Sequence, residues 1–132
     1  MKFSTRSSYG LRALANLARH YNVQPYSLAR IAKEENISQA YLERLFSRLK
    51  KAQILLSSKG VSGGYSLASN PSKISILSVI EALEGSVSVF KCLGGKGNLI
   101  CSKKDCPSGV VYQKVQKAII DSLSSIYLKD LI

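Results

Sequence analysis

Cys92, Cys101 and Cys106 stand in a C-x8-C-x4-C array and are the only three cysteines of the chain. Three thiolates delivered by one short stretch can converge on a soft metal centre, and iron–sulfur clusters and structural zinc both favour such donors. The spacing does not choose between them, and either leaves a fourth ligand to be found. Plain or redox-active thiols are the remaining reading, whereas a disulfide framework would call for an even number of cysteines and an exported chain.

A second chemically useful set lies between Ser38 and Lys51. Leu42, Leu45, Phe46 and Leu49 recur at i, i+3, i+4 and i+7, the buried stripe of a helix that Ser38 can cap. The other face carries Gln39, Tyr41, Glu43, Arg44, Ser47, Arg48, Lys50 and Lys51, hydrogen-bonding and cationic groups of the kind that meet base edges and phosphates. Charge points the same way. The net charge is +11 over 132 residues, and residues 1–60 hold eleven Lys and Arg against Glu34, Glu35 and Glu43, a balance of +8. Such a surface attracts DNA phosphates at long range and gains from counterion release. Solvated basic faces are also common, so the order of segments has to decide. No Ser/His/Asp arrangement, P-loop or pair of carboxylates is present in the sequence, and an enzyme is not expected.

The surrounding segments form a recognisable order. From Ser4 to about Tyr21, Leu11, Leu14, Ala15, Leu17 and Ala18 recur at helical spacing, with Ser4 or Thr5 as the cap. Pro25 breaks this helix, Ser27 caps a short second one that buries Leu28, Ile31 and Ala32, and Asn36-Ile37 makes a tight turn into the third, which reaches about Ala52. Residues 54–58 and 65–68 read as the strands of a hairpin around the glycine-rich turn 59–64. Ile76, Leu77, Val79, Ile80 and Leu83 then mark a helix stopped by Gly85. Residues 91–106, with Gly94, Gly95 and Gly97, read as a loop that a ligand would order. Pro107 opens a last helix whose stripe of Val111, Val115, Ala118, Ile119, Leu123 and Ile126 invites a second copy. The fold class is therefore mainly α: a winged helix-turn-helix domain with a β-hairpin wing and a long C-terminal dimerisation helix. No stretch of about 18 apolar residues and no apolar leader is seen, so a soluble, cytoplasmic protein without membrane contact is expected.

The stretches Ser38-Gln39-Ala40-Tyr41-Leu42-Glu43-Arg44-Leu45-Phe46 and Lys59-Gly60-Val61-Ser62-Gly63-Gly64-Tyr65-Ser66-Leu67-Ala68 resemble one bacterial family, the Rrf2 winged-helix transcription regulators, that of IscR, NsrR and CymR. The Tyr-Leu-Glu and Gly-Gly-Tyr-x-Leu signatures carry the resemblance, which extends over essentially the whole chain. It implies a homodimer whose C-terminal helices cross and whose paired recognition helices read a two-fold-related double-stranded DNA operator. DNA contacts are then expected from Ser38, Gln39, Ala40, Tyr41, Glu43, Arg44, Arg48 and Lys51, and from Lys59 and Gly60 in the wing. The family's base-contacting positions fall on Ala40, Glu43 and Arg44. Ala40 reaches at most a thymine methyl, Arg44 takes guanine or a phosphate, and Glu43 either accepts from a cytosine amino group or pairs with a neighbouring cation. Lys59 stands where the family usually has arginine, the better reader of a narrow minor groove. Gly60, Gly63 and Gly64 are shape residues.

The cluster-binding members of that family hold an iron–sulfur cluster on three cysteines ahead of the dimer helix, and Cys92, Cys101 and Cys106 match in position. The resemblance favours [2Fe-2S] over [4Fe-4S]. The family's fourth donors, a histidine three residues past the last cysteine or an N-terminal aspartate, are Gly109 and Ser8 in this chain; Asp105, Ser7 or Ser8, His20, or a backbone or solvent atom would have to substitute. His20 reads more simply as a helix-surface residue. The expected organisation is one domain over 1–132: a DNA-binding core and wing (1–70), a linking helix (71–90), a cysteine loop (91–106) and a dimerisation helix with its tail (107–132), with dimer contacts from Val111, Val115, Ile119, Leu123 and Ile126. The expected function is a homodimeric DNA-binding regulator that senses cluster status, redox state or nitric oxide, with no small-molecule substrate. A cluster-free regulator of cysteine or sulfur metabolism acting with a protein partner, and a zinc-stabilised regulator, are the alternatives.

Overall fold

The structure, a computed structural model, describes residues 2–90, 93–94 and 106–132. In chain order it contains α1 (Thr5–Arg19), α2 (Leu28–Glu35), α3 (Gln39–Lys51), β1 (Leu55–Ser58), β2 (Gly64–Leu67), α4 (Ile76–Glu84) and α5 (Pro107–Ser124), with short 3-10 turns between and after them. Serine opens each of the first four helices. The hydroxyls of Ser4, Ser27, Ser38 and Ser75 accept from the amides of Arg6, Arg30, Tyr41 and Ser78, each bond satisfying an amide that the helix itself leaves unpaired. α2 stops at Asn36, whose left-handed backbone (φ 55°) turns the chain so that the Ile37 amide reaches back 2.9 Å to the Ala32 carbonyl. Asparagine tolerates that conformation better than most residues.

Packing follows the stripes. Leu14 and Leu17 of α1, Ile31 of α2, Leu42, Leu45, Phe46 and Leu49 of α3, Leu55 of β1 and Leu83 of α4 are all at most 1% exposed and share one core. β1 and β2 pair antiparallel, Leu55 opposite Leu67 and Ser58 opposite Gly64. The return strand thus begins at Gly64, one residue earlier than the hydrophobic pattern suggests, because a second neighbour holds it. Tyr26, just before α2, exchanges two backbone hydrogen bonds with Tyr65, at 2.8 and 2.9 Å. Gly64 permits that approach: a Cβ there would lie 2.2 Å from the Tyr26 carbonyl oxygen, at a φ of +155°. Gln24 ties the same strand to α1, accepting from the Leu67 amide and donating to the Leu17 carbonyl. The wing is therefore fastened to the helical core at three backbone points.

A second, smaller core joins α4 to α5. Ile76, Ile80 and Val87 are buried against Ile119, Leu123 and Ile126. The chain beyond α5 folds back on α4: the Ile76 amide donates to the Ile126 carbonyl and the Leu128 amide to the Ile74 carbonyl, each at 2.8 Å, and Leu128 is fully buried. Ile126, included in the apolar stripe of the last helix by its spacing, lies past the helix end at Ser124. Among the described residues no helix is long and apolar enough to cross a membrane.

Two wing glycines allow a comparison. Gly60 and Gly64 both have positive φ, but a Cβ at Gly60 meets nothing within 4 Å. Gly60→Ala is therefore expected to cost only its conformational strain, about 1 kcal/mol, and Gly64→Ala clearly more, because the Tyr26 backbone has to retreat. Urea midpoints measure both; equal losses would show that the contact with Tyr26 carries no weight.

Candidate nucleic-acid interface

α3 is held by its buried stripe, so its remaining side chains turn outward. Ser38, Gln39, Ala40, Glu43, Arg44, Ser47, Arg48, Lys50 and Lys51 are exposed, and Tyr41 is half-buried. The structure brings the expected recognition residues onto one surface. Their electrostatics differ in ways that spacing does not show. Among the described residues Glu43 makes no ion pair within 4.0 Å, so the alternative in which it is neutralised by a neighbouring cation does not describe this structure. Its charge is instead felt by Tyr65, whose phenol is pushed up by burial first and by Glu43 second. Arg44 sits over the Tyr41 ring, 5.6 Å from its centroid, and is otherwise open to solvent. Arg48, expected among the DNA contacts, has a second engagement: its Nη1 donates to the Leu83 carbonyl at 2.9 Å, binding α3 to the last turn of α4.

The wing carries Lys59 and Gly60 at its exposed turn, closed by a 3.0 Å bond from the Gly63 amide to the Gly60 carbonyl. Its orientation relative to α2 rests on a polar set beneath it. The Tyr26 hydroxyl donates to Glu34 at 2.8 Å, Asn16 donates to Glu34 and Glu35, and Arg30 lies 3.4 Å from Glu34. The bonds from Asn16 and Tyr26 hold the Glu34 carboxyl below the usual range. His20 stacks on Tyr26 with ring centroids 4.1 Å apart and turns Nδ1 to the Asn16 carbonyl. It is thus a packing residue of this set.

Two groups that the sequence pattern did not single out for DNA also reach the interface. Thr5 and Arg6, in the first turn of α1, lie beside α3; the Thr5 hydroxyl is 3.2 Å from that of Tyr41. Their local signal is only the serine cap before them, and their position depends on the packing of α1 against α3.

Of the candidate metal ligands, Cys92, Cys101 and Asp105 lie outside the described residues. Cys106 is half-buried at the N-cap of α5, an 18-residue helix with proline in its first turn and no acidic residue there. The positive end of a helix favours a negatively charged sulfur, so this ligand fits a thiolate donor set. The chain ahead of Cys92 is fastened to α5. Gln116, fully buried, accepts from the Val89 amide at 2.7 Å and donates to the Val87 carbonyl, and Phe90 stacks on Tyr112 at 4.6 Å. Of the expected dimer residues, Val111 and Val115 are exposed, whereas Ile119, Leu123 and Ile126 are half-buried against the second core.

Comparison with known proteins places this geometry. The family model described as "Iron-dependent Transcriptional regulator", Rrf2, matches residues 3–132. The chain is 35% identical over 137 residues to the HTH-type transcriptional regulator IscR of Vibrio vulnificus, covering 99% of this chain and 77% of that protein. Among solved structures it is similar to CymR, the global cysteine regulator of B. subtilis, with TM-score 0.81 and 32% identity over 99% of this chain and 95% of that one. It is likewise similar to T. potens IscR, with TM-score 0.78 and 35% identity over 99% and 85%.

The exposed set separates into two expected behaviours on DNA. Lys51→Ala is expected to weaken binding to every duplex alike and to flatten the slope of log affinity against log salt by about 1 per site. Glu43→Gln is expected instead to reorder the preferred sequences recovered from a random duplex pool. Fluorescence anisotropy over a salt series and sequencing of the pool measure the two; a Glu43→Gln protein that recovers the same sequences as the parent would end the filter role.

Proposed function

The chain belongs to the Rrf2 family of transcriptional regulators, and from that premise we propose that it acts as a homodimer on a two-fold-related operator, with its DNA affinity set by an iron–sulfur cluster on Cys92, Cys101 and Cys106. The observation that carries the reading is the outward face of α3, whose residues 38–51 are fixed in place by a fully buried stripe while their hydrogen-bonding and cationic groups stay in solvent. A helix presented in that way fits the major groove, and the exposed turn at Lys59 and Gly60 reaches the flanking backbone.

Dimerisation is supported by α5. Only Gly109 and Gln116 of its 18 residues are buried, while Val110, Val111 and Val115 are 45–56% exposed. Beside them Phe3 and the α5 residues Val115, Ala118, Ile119 and Leu123 line an apolar groove of about 380 Å³. Apolar area of this kind gains roughly 25 cal/mol per Å² when covered, and a second α5 has the matching surface.

When bound, a cluster supplies a redox-responsive link among the three thiolates, with [2Fe-2S] the favoured form. What the chain itself contributes is the connection. Cys106 opens the dimer helix, and Gln116 fastens residues 87–89, which lead to Cys92, onto the same helix. The cluster alters DNA affinity only through its different interaction with two arrangements of the heads, for which a coupling of roughly 1–3 kcal/mol, or about 5- to 150-fold in affinity, is the ordinary scale. The close likeness to a cysteine regulator favours one competing reading, a regulator without a metal, and iron analysis separates the two.

Protein purified without oxygen is expected to contain iron and sulfide with visible absorption, and Cys92→Ala, Cys101→Ala or Cys106→Ala each to abolish both while leaving the fold intact. Unchanged iron content in the variants would place any metal elsewhere, and zinc in the parent would favour the structural alternative. For the dimer, Val115→Asp is the clean substitution, since its side chain is exposed, whereas a charge at Ile119 would also disturb the second core. Sedimentation is expected to show monomers with a near-parental urea midpoint and weaker operator binding; a persistent dimer would move the interface off α5.

A further inference from the structure

Between the start of α1 and the outer side of α3 the fold forms an open pocket of about 360 Å³ lined by Ser4, Thr5, Arg6, Tyr41, Arg44 and Arg48 over Leu45. Its chemistry is that of an anion seat. Three arginines line one concavity, the hydroxyls of Thr5 and Tyr41 lie 3.2 Å apart beside them, and the first turn of α1, which contains no acidic residue, adds its positive helix end. One carboxylate stands at the edge. Glu84 accepts from the Ser4 amide and hydroxyl and lies 3.6 Å from the Nε of Arg6. Burial works against its charge, but the bonds from Ser4, together with Ser7 and the Arg6 guanidinium, hold it below the usual carboxylate range. That contact, and the 3.1 Å bond from the same Nε to the Ser4 hydroxyl, fix the guanidinium by one edge. Arg48 is likewise fixed, by Nη1 on the Leu83 carbonyl. The cations are thus partly pre-positioned, and the pocket keeps an excess of positive charge.

We infer that this pocket seats one phosphate of the DNA backbone in each half-site, with Arg6 and Thr5 of α1 as its dedicated ligands and Arg44 shared between it and the groove. The inference rests on the DNA-binding reading above and adds a contact from α1 that α3 and the wing do not supply. The source of the anion follows from place. Arg44 belongs to the exposed face of α3, so an anion in the pocket lies within one side chain of whatever that face meets, and a helix in the major groove has backbone phosphates along both sides. A phosphate held at this point fixes the register of α3 along the groove without reading sequence.

The test uses the full-length protein, a duplex recovered from a random pool, and a series of duplexes in which single phosphates are replaced by neutral methylphosphonates. The parent is expected to lose roughly tenfold in affinity when one particular phosphate beside each half-site is neutralised. Arg6→Gln is expected to bind the unmodified duplex more weakly by a similar factor, to be indifferent to neutralisation at that same phosphate, and to show a salt slope smaller by about 0.9 per half-site. Arg6→Lys should restore the slope but only part of the affinity. Should Arg6→Gln unfold, Glu84→Gln carries the test, since it keeps an acceptor for Ser4 while releasing Arg6; it is expected to bind more tightly and to deepen the loss at that one phosphate. A methylphosphonate profile identical to the parent's in the folded Arg6 variant, or an unaltered loss in the Glu84 variant, overturns the inference. So does saturation of the Thr5 and Arg6 amide shifts by millimolar inorganic phosphate, which would make the pocket a small-anion site. If the parent prefers no duplex over another, the DNA-binding reading itself fails, and the two failures are told apart.

Discussion

The arrangement of this protein depends on the burial of Phe46. Its ring is fully enclosed, meets Tyr65 of the wing edge-on at 5.1 Å, and stands in the stripe with Leu42, Leu45 and Leu49 that α1, α2, β1 and α4 surround. A helix clamped along one stripe has no freedom to roll, since any rotation would expose side chains whose burial is worth about 1.5–3 kcal/mol each. The outward set from Ser38 to Lys51 is therefore fixed by what lies behind it. The wing obeys the same constraint, because the residue that packs on Phe46 is also the one whose backbone pairs with Tyr26.

Two connections join α1 and α3 to the distal half, and both converge on the end of α4. Ser4 and Arg6 meet Glu84 from the start of α1, and Arg48 meets the Leu83 carbonyl from the far end of α3. The last turn of a helix has carbonyls without intrahelical partners, so an arginine there satisfies a need of α4 as well as holding α3. Gly85 follows immediately, with a φ of 91°, and from it the chain runs toward the cysteine segment. The end of α4 is in this way the shared boundary of both halves.

What could be read in the sequence was whatever has a local cause. The stripes of α1, α3 and α4 and the serine caps at Ser4, Ser27 and Ser38 are set by spacing of 3.6 residues and by hydroxyls next to unpaired amides, and they stand where the pattern puts them. The exposed residues of α3 follow by subtraction. Long-range partners have no such signature. Nothing near Arg48 announces a carbonyl 35 residues away, and nothing near Thr5 announces the hydroxyl of Tyr41. Ile126 shows the reverse error: its spacing continues the α5 stripe, but the helix has already ended and the residue is held by its backbone against Ile76. The cysteine array was legible as chemistry from donor type and spacing alone, and of its three members Cys106 falls among the described residues.

The choice of glutamine at position 116 has a further meaning. Its amide bridges the Val87 carbonyl and the Val89 amide from inside the protein, the work of one rung of a β-ladder done by a side chain. A carboxamide has no proton to lose near neutrality and no atom that mild oxidants attack. Acidification or oxidative stress in the surroundings leaves this rung as it was. The link between residues 87–89 and α5 thus keeps its hydrogen-bonding groups unaltered whatever the pH or redox state around it.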